Sequence, residues 1–208
     1  MESTTTDTNS LNSTATDLIE TEANDTIDTA TAVTLTPELP HVIATGSINF
    51  DFDNNPNVDG TEDVDLYTFD LTVGDTIRLD VDAVGETLPL EFVELILFDS
   101  EGNNLAQASF ADPGPDDAFI SFLPYLEYTA TEAGTYYAGV SAYFNVAYDP
   151  FTAGSGSGLS LDEFELNSLG DYTLEFELVN DSTPEPPPPT QPPRSEEHTS
   201  ELQSRPHI

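Results

Sequence analysis

The stretch Asp59-Gly-Thr-Glu-Asp-Val-Asp-Leu-Tyr-Thr-Phe-Asp-Leu-Thr-Val-Gly-Asp-Thr-Ile-Arg-Leu-Asp-Val-Asp-Ala83 decides the fold. Tyr67, Phe69 and Leu71 alternate with Thr68 and Asp70, and Ile77, Leu79, Val81 and Ala83 alternate with Arg78, Asp80 and Asp82. A period of two marks a strand with one face buried. Gly74-Asp75 supplies a turn between the two runs, so the stretch reads as a β-hairpin. Carried backwards from Tyr67, the same period places Asp65 and Asp63 on the apolar side, at the mouth of the core. An unpartnered charge there is costly, so these carboxylates need a partner. Asp80 and Asp82 fall on the solvated face.

Asp63-Val-Asp-Leu-Tyr-Thr-Phe69, then Val73-Gly-Asp-Thr-Ile77, then Leu79-Asp-Val81, resembles the core signature of the bacterial pre-peptidase C-terminal domain. The resemblance extends to Glu22-Ala-Asn-Asp-Thr26 with Ala30 and Ala32, to Leu97-Phe-Asp99 with Gly102, to Ala133-Gly-Thr-Tyr-Tyr137 and to Gly170-Asp-Tyr-Thr-Leu174. It covers roughly residues 20 to 180. It implies a β-sandwich of the kind found beside catalytic or adhesive domains in secreted bacterial proteins, with the collagen-binding domains of bacterial collagenases as relatives. In those relatives, acidic and amide residues of the opening segment share calcium with the acidic edge of the first strand pair. The matching positions here are Glu20, Glu22, Asn24 and Asp25 with Asp63 and Asp65, so the resemblance implies calcium as cofactor. The acidic groups among them repel one another without a cation; with one, the set approaches the six to eight oxygens that calcium takes.

Composition bounds what else the chain does. At 208 residues it allows one domain with tails. A core of about 160 residues buries roughly 70% of its unfolded surface, enough to stand without staples. There is no cysteine, which excludes disulfides, thiolate metal sites and cysteine nucleophiles. The formal net charge is −37, from 40 acidic residues against three basic ones. Nucleic acid and anionic membrane surfaces repel such a chain, and no apolar run is long enough for a membrane span. Either divalent-cation binding or an acidic surface suited to high salt accounts for the charge. For any single acid, a solvated surface position is the default reading.

Residues 1–19 are almost all Ser, Thr, Asn and Asp and are expected to remain disordered. They lack the basic and apolar regions of a signal peptide. Strands are expected over Thr31–Leu35 and Val42–Phe50. Asp51 to Glu62 places oxygen groups at the 1, 3, 5, 7, 9 and 12 positions of a calcium loop, but Pro56 stands where that loop needs glycine and strands flank it. The segment reads as an acidic insertion, with Asp59 and Glu62 as competing ligands. Val93 to Phe98 is apolar apart from Glu94 and suits a strand covered on both faces, returning through Ser100–Asn103. Tyr125–Ala130 and Thr135–Phe144 read as a second hairpin, and Tyr172, Leu174, Phe176 and Leu178 as the last strand. About eight or nine strands without a helix imply an all-β fold, an antiparallel β-sandwich that is jelly-roll-like, spanning residues 20–180.

Residues 181–193 are a proline-rich linker, an extended spacer that implies a neighbouring domain. Arg194-Ser-Glu-Glu-His-Thr-Ser-Glu-Leu-Gln-Ser204 is what a ligated short-read sequencing adapter encodes in one frame, so residues 194–208 are set apart from functional reasoning. Arg78 is then the only arginine left, there is no lysine, and His41 is the only histidine.

A Ser-His-Asp arrangement would have to use His41, without a Gly-x-Ser-x-Gly elbow, and neither a histidine-rich zinc site nor a phosphate loop is present. The chain is therefore expected to be non-catalytic. The leading expectation is a calcium-stabilised accessory module of an exported bacterial protein, extracellular or at the cell surface and monomeric, serving the binding, spacing or secretion of a neighbouring domain. One alternative is a module binding carbohydrate or a matrix protein through an aromatic face formed by Tyr137, Tyr143 and Tyr148. The other is a glycoside hydrolase using a carboxylate pair, which spacing cannot single out among so many acids.

Overall fold

Alternating apolar residues produce most of the strands, and the structure, a computed structural model, describes residues 16–49, 63–84, 92–109, 112, 114–115, 123–143, 145–155 and 169–179. Ten strands are present among them and no helix. In chain order they are β1 (Thr16–Ile19), β2 (Thr31–Ala32), β3 (His41–Ile48), β4 (Val64–Leu71), β5 (Thr76–Ala83), β6 (Val93–Asp99), β7 (Asn104–Ala108), β8 (Tyr125–Thr129), β9 (Gly134–Ala142) and β10 (Gly170–Val179). They form two five-stranded sheets, β1-β3-β10-β5-β8 and β2-β4-β9-β6-β7. The count exceeds the expected eight or nine because of the short edge strand β1, and β2 covers only the start of the expected Thr31–Leu35; these two strands pair in parallel with β3 and β4. All other pairings are antiparallel.

The sheets pack face to face through side chains of one parity. Tyr67, Phe69 and Leu71 of β4, Leu95 and Leu97 of β6, and Ala138 and Val140 of β9 meet Val42 and Ala44 of β3, Leu79 and Val81 of β5, and Leu174 and Phe176 of β10. Phe176 makes edge contacts across the interface with Tyr67 and Phe69, at centroid distances of 5.7 and 5.6 Å. Each fully buried large apolar side chain contributes about 1.5–3 kcal/mol, and the core draws them from both sheets.

The organising stretch is not a hairpin. Its strands lie in opposite sheets, β4 pairing with β9 and β5 with β10 and β8. The turn at Thr72–Asp75, with Gly74 at φ 91°, crosses the edge of the sandwich as an arch. The expected second hairpin is also an arch, since β8 and β9 belong to different sheets. The two arches dock on each other: Gly74 N donates to the Ala130 carbonyl at 2.9 Å and Ala130 N to the Asp75 carbonyl at 2.8 Å. Among the described strands, only β6 and β7 form a local hairpin of the kind the sequence suggests.

The second face of β4, β9 and β6 is also covered. Val64, Leu66, Ile96, Phe98 and Tyr148 form a smaller cluster there, with Ile27, Ala30 and Tyr137 packed against it. Ile27 N donates to the Pro150 carbonyl at 2.8 Å, joining the two loops that make this cover. At the other end of the chain order, β1 places residues 16–19 in a sheet, four residues ahead of the expected start at residue 20. Residues 1–15, the acidic insertion after Asn49, the linker and residues 194–208 lie outside the described residues.

Candidate metal centre

β4 begins with two carboxylates in phase with the core. Asp63 is 5% exposed and Asp65 0%, because the strand period turns both toward the opposite sheet. β3 ends beside them: Asn49 N donates to Asp63 Oδ2 at 2.5 Å, tying together the two residues that flank the insertion. The chain leaving β1 supplies the rest of the centre. Ala23, at φ 72°, is a left-handed alanine, a conformation costing on the order of 1 kcal/mol. It precedes the fully buried Asn24, whose carbonyl accepts from Leu66 N at 3.1 Å.

Glu20, Glu22 and Asp65 each bring a carboxylate oxygen to a point where all three lie within 4.8 Å of one another. Glu20 Oε1 accepts from Ser47 N at 2.6 Å, and Oε2 accepts from Asn24 Nδ2 at 3.3 Å and from Tyr67 Oη at 3.2 Å. Asp65 Oδ2 accepts from Tyr172 Oη at 2.7 Å, and the two tyrosine hydroxyls are 2.8 Å apart. Glu22 Oε1 accepts from Asn49 Nδ2 at 3.3 Å. Within this centre, two oxygens are buried without any donor: Asn24 Oδ1 and Asp65 Oδ1.

The electrostatics follow from burial first. Desolvation, the charges of Glu22, Asp25 and Glu20, and a countering hydrogen bond from Asn49 N leave the Asp63 carboxyl at about 7, against an ordinary 3.8. Asp65 is pushed well above its ordinary range by desolvation, by the charges of Asp63 and Glu20 and by the hydrogen bond that its protonated form donates to Glu20, against one from Tyr172. Glu20 is raised by desolvation, against hydrogen bonds that favour its charge. No protein cation answers these groups among the described residues. Arg78 is engaged on the outer face of the other sheet, 2.7 Å from Glu127 and 3.1 Å from Glu177, and His41 meets Glu175 at 2.6 Å.

The six candidate ligands are thus brought together unequally. Glu20, Glu22 and Asp65 converge directly. Asn24 donates to Glu20 through Nδ2 and keeps a buried oxygen without a donor, Asp63 flanks them with one oxygen occupied, and half-buried Asp25 acts on Asp63 through its charge. The sequence reading missed Tyr67, Tyr172, Ser47 and Asn49, whose donor groups lie 14 to 107 positions away from their acceptors. It also missed Gly46: a Cβ there would fall 2.5 Å from the Tyr172 hydroxyl and 2.7 Å from Glu20 Oε2. The donor set is all oxygen, mostly anionic and partly donorless, which fits a hard divalent cation such as calcium.

The proposed aromatic face does not assemble as a surface. Tyr148 is 7% exposed and packs over Phe98 at a centroid distance of 5.6 Å, because the loop after β9 folds back onto the sheet. Tyr137 is half-buried against the same cluster, and Tyr143 lies 5.9 Å from the Phe92 ring. The outer face of the other sheet carries a groove of about 410 Å³ instead, lined by Arg78, Asp80, Asp82, Tyr125, Glu175 and Glu177. Asp80, expected on a solvated face, is half-buried there beneath Gly114.

Solved structures similar to this chain include the Aeromonas hydrophila PliG, a periplasmic inhibitor of g-type lysozyme, at 11% identity and TM-score 0.37, over 78% of this chain and 99% of that one. A PliG mutant from Escherichia coli gives 12% identity and TM-score 0.38, over 79% and 100%. The pre-peptidase C-terminal domain of a Bacillus anthracis collagenase gives 17% identity and TM-score 0.35, over 72% and 94%. No curated protein sequence matches the chain. Residues 63–142, which run from the first buried carboxylate through the central strands to the end of β9, match the bacterial pre-peptidase C-terminal domain family that the sequence resembles.

Proposed function

We propose that this chain is a non-catalytic accessory module of an exported bacterial protein, working outside the cytoplasm, and that calcium stabilises it at the Glu20–Asp65 centre. The observation that carries this reading is the meeting of Glu20, Glu22 and Asp65 oxygens within 4.8 Å, beside two buried oxygens that receive no donor. Burying several carboxylates together is unfavourable unless a positive charge joins them. A bound calcium supplies that charge and accepts the spare oxygens. The ligands come from the segment after β1 and from β4, so the cation ties the opening of one sheet to the core strand of the other. The product is a rigid sandwich end, suited to holding or spacing a neighbouring domain rather than to turnover.

An NMR titration tests the reading. Calcium added to the metal-free protein is expected to give saturable shifts at the amides of Asn24, Ser47 and Asn49, with a dissociation constant of roughly 0.1–1 mM, as for extracellular calcium modules. Shifts that fail to saturate, or that spread evenly over the acidic surface, would overturn it.

A further inference from the structure

We infer that Tyr172, linked to Tyr67, is a positioning residue of the acidic centre: its hydroxyl clamps one oxygen of Asp65 and leaves the other directed at the cation. The inference rests on the calcium reading and adds residues that the ligand set does not contain. Tyr172 is fully buried on β10, in the sheet opposite Asp65, and donates to Asp65 Oδ2 at 2.7 Å. Asp65 Oδ1, on the same carboxyl group, is buried and receives no donor. A carboxylate fixed through one oxygen no longer rotates freely, so the direction of the second oxygen is set before a ligand arrives. Tyr67 holds Glu20 in turn, donating to Oε2 at 3.2 Å while Ser47 N holds Oε1, and its hydroxyl lies 2.8 Å from that of Tyr172. One hydroxyl pair therefore orients a carboxylate from each side of the centre.

Gly46 gives this arrangement an independent mark. Tyr172 pairs with Gly46 across β10 and β3, and a Cβ at that position would meet Tyr172 Cζ and Oη at 2.5 Å and Glu20 Oε2 at 2.7 Å. The backbone of β3 is cleared where the hydroxyl and the carboxylate pass. The cleared space takes the hydroxyl end of the Tyr172 ring, Cζ as well as Oη, together with the Glu20 carboxylate. Groups that orient metal ligands typically change affinity 10- to 100-fold when removed.

The test compares Tyr172→Phe, Tyr67→Phe and Gly46→Ala with the unmodified full chain, measuring calcium affinity by calorimetry and melting temperature in chelator. Tyr172→Phe keeps the ring and is expected to weaken calcium binding about 10- to 100-fold. Gly46→Ala, which displaces the same hydroxyl and crowds the Glu20 carboxylate, is expected to weaken it in the same direction. A purely structural tyrosine would lower the melting temperature with and without calcium and leave affinity unchanged. Unchanged affinity in Tyr172→Phe overturns the inference; if that variant does not fold, unchanged affinity in Tyr67→Phe and Gly46→Ala does so. Absence of calcium binding in the unmodified chain overturns the calcium reading and the inference together, a result distinct from the others.

Discussion

Glu20 and Asp65 belong to opposite sides of the sandwich, one following β1 and the other within β4, yet their carboxylate oxygens lie within 4.8 Å of each other. Together with Asp63, they make the metal-free protein sensitive to pH in an unusual direction. A carboxyl group whose folded value is raised binds its proton more tightly when folded, so its stabilising contribution is present at low pH and lost as pH rises.

Asp63, held at about 7, sets the window. In chelator, melting temperature is expected to fall as pH is raised from about 4 through 7, with Asp65 and Glu20 acting in the same direction. A loss of about 2 kcal/mol corresponds to roughly 4–8 °C for a domain of this size. Calcium, which needs the ionised forms, is expected to remove most of the fall. Melting curves at pH 5 and pH 8, with and without calcium, check both statements.

Replacing Asp63→Asn with Asp65→Asn keeps acceptors for Asn49 N and Tyr172 Oη while removing two buried charges. The double variant is expected to lose the calcium response and to melt at least as high as the unmodified protein in chelator at pH 8. Asp82→Asn with Asp171→Asn, at exposed positions, is expected to keep the response. A calcium titration followed by melting distinguishes the pairs.

Tyr148 crosses Gly139 so closely that a Cβ on the glycine would overlap its hydroxyl. Gly139→Ala is expected to destabilise by about 1–3 kcal/mol through overpacking of the outer cluster. Gly134→Ala, with nothing within 4 Å of the added carbon, is expected to be neutral or to stabilise by up to about 1 kcal/mol. Denaturant unfolding of the two variants measures the contrast.

The strands were legible because a period of two survives in any sheet: the alternation of Tyr67 to Leu71 and of Ile77 to Ala83 marks β4 and β5. Their partners were not. A four-residue turn joins strands in a hairpin or an arch alike, and what separates the two here is the docking of Gly74 on Ala130, a contact 56 positions distant. β1 escaped notice because it is an edge strand of mostly exposed residues, stabilised by pairing with β3 rather than by an apolar pattern. Tyr148 sits in an aperiodic loop, so nothing local shows that it is buried. At the centre, strand phase identified Asp63 and Asp65, and the family resemblance supplied the opening-segment acids. Tyr172 and Gly46 carry no local mark, since their roles arise only when β10 and β3 lie side by side.

Melting temperature against calcium concentration, with magnesium and sodium at matched ionic strength, tests the cation claim most directly. Calcium at about a hundred times its dissociation constant stabilises by roughly 2.7 kcal/mol. For this domain, that is expected to appear as a saturable rise of about 5–10 °C, with a much smaller rise in magnesium. Equal rises with all three salts would mean that the acids are only screened, and would contradict a calcium centre at Glu20, Glu22 and Asp65.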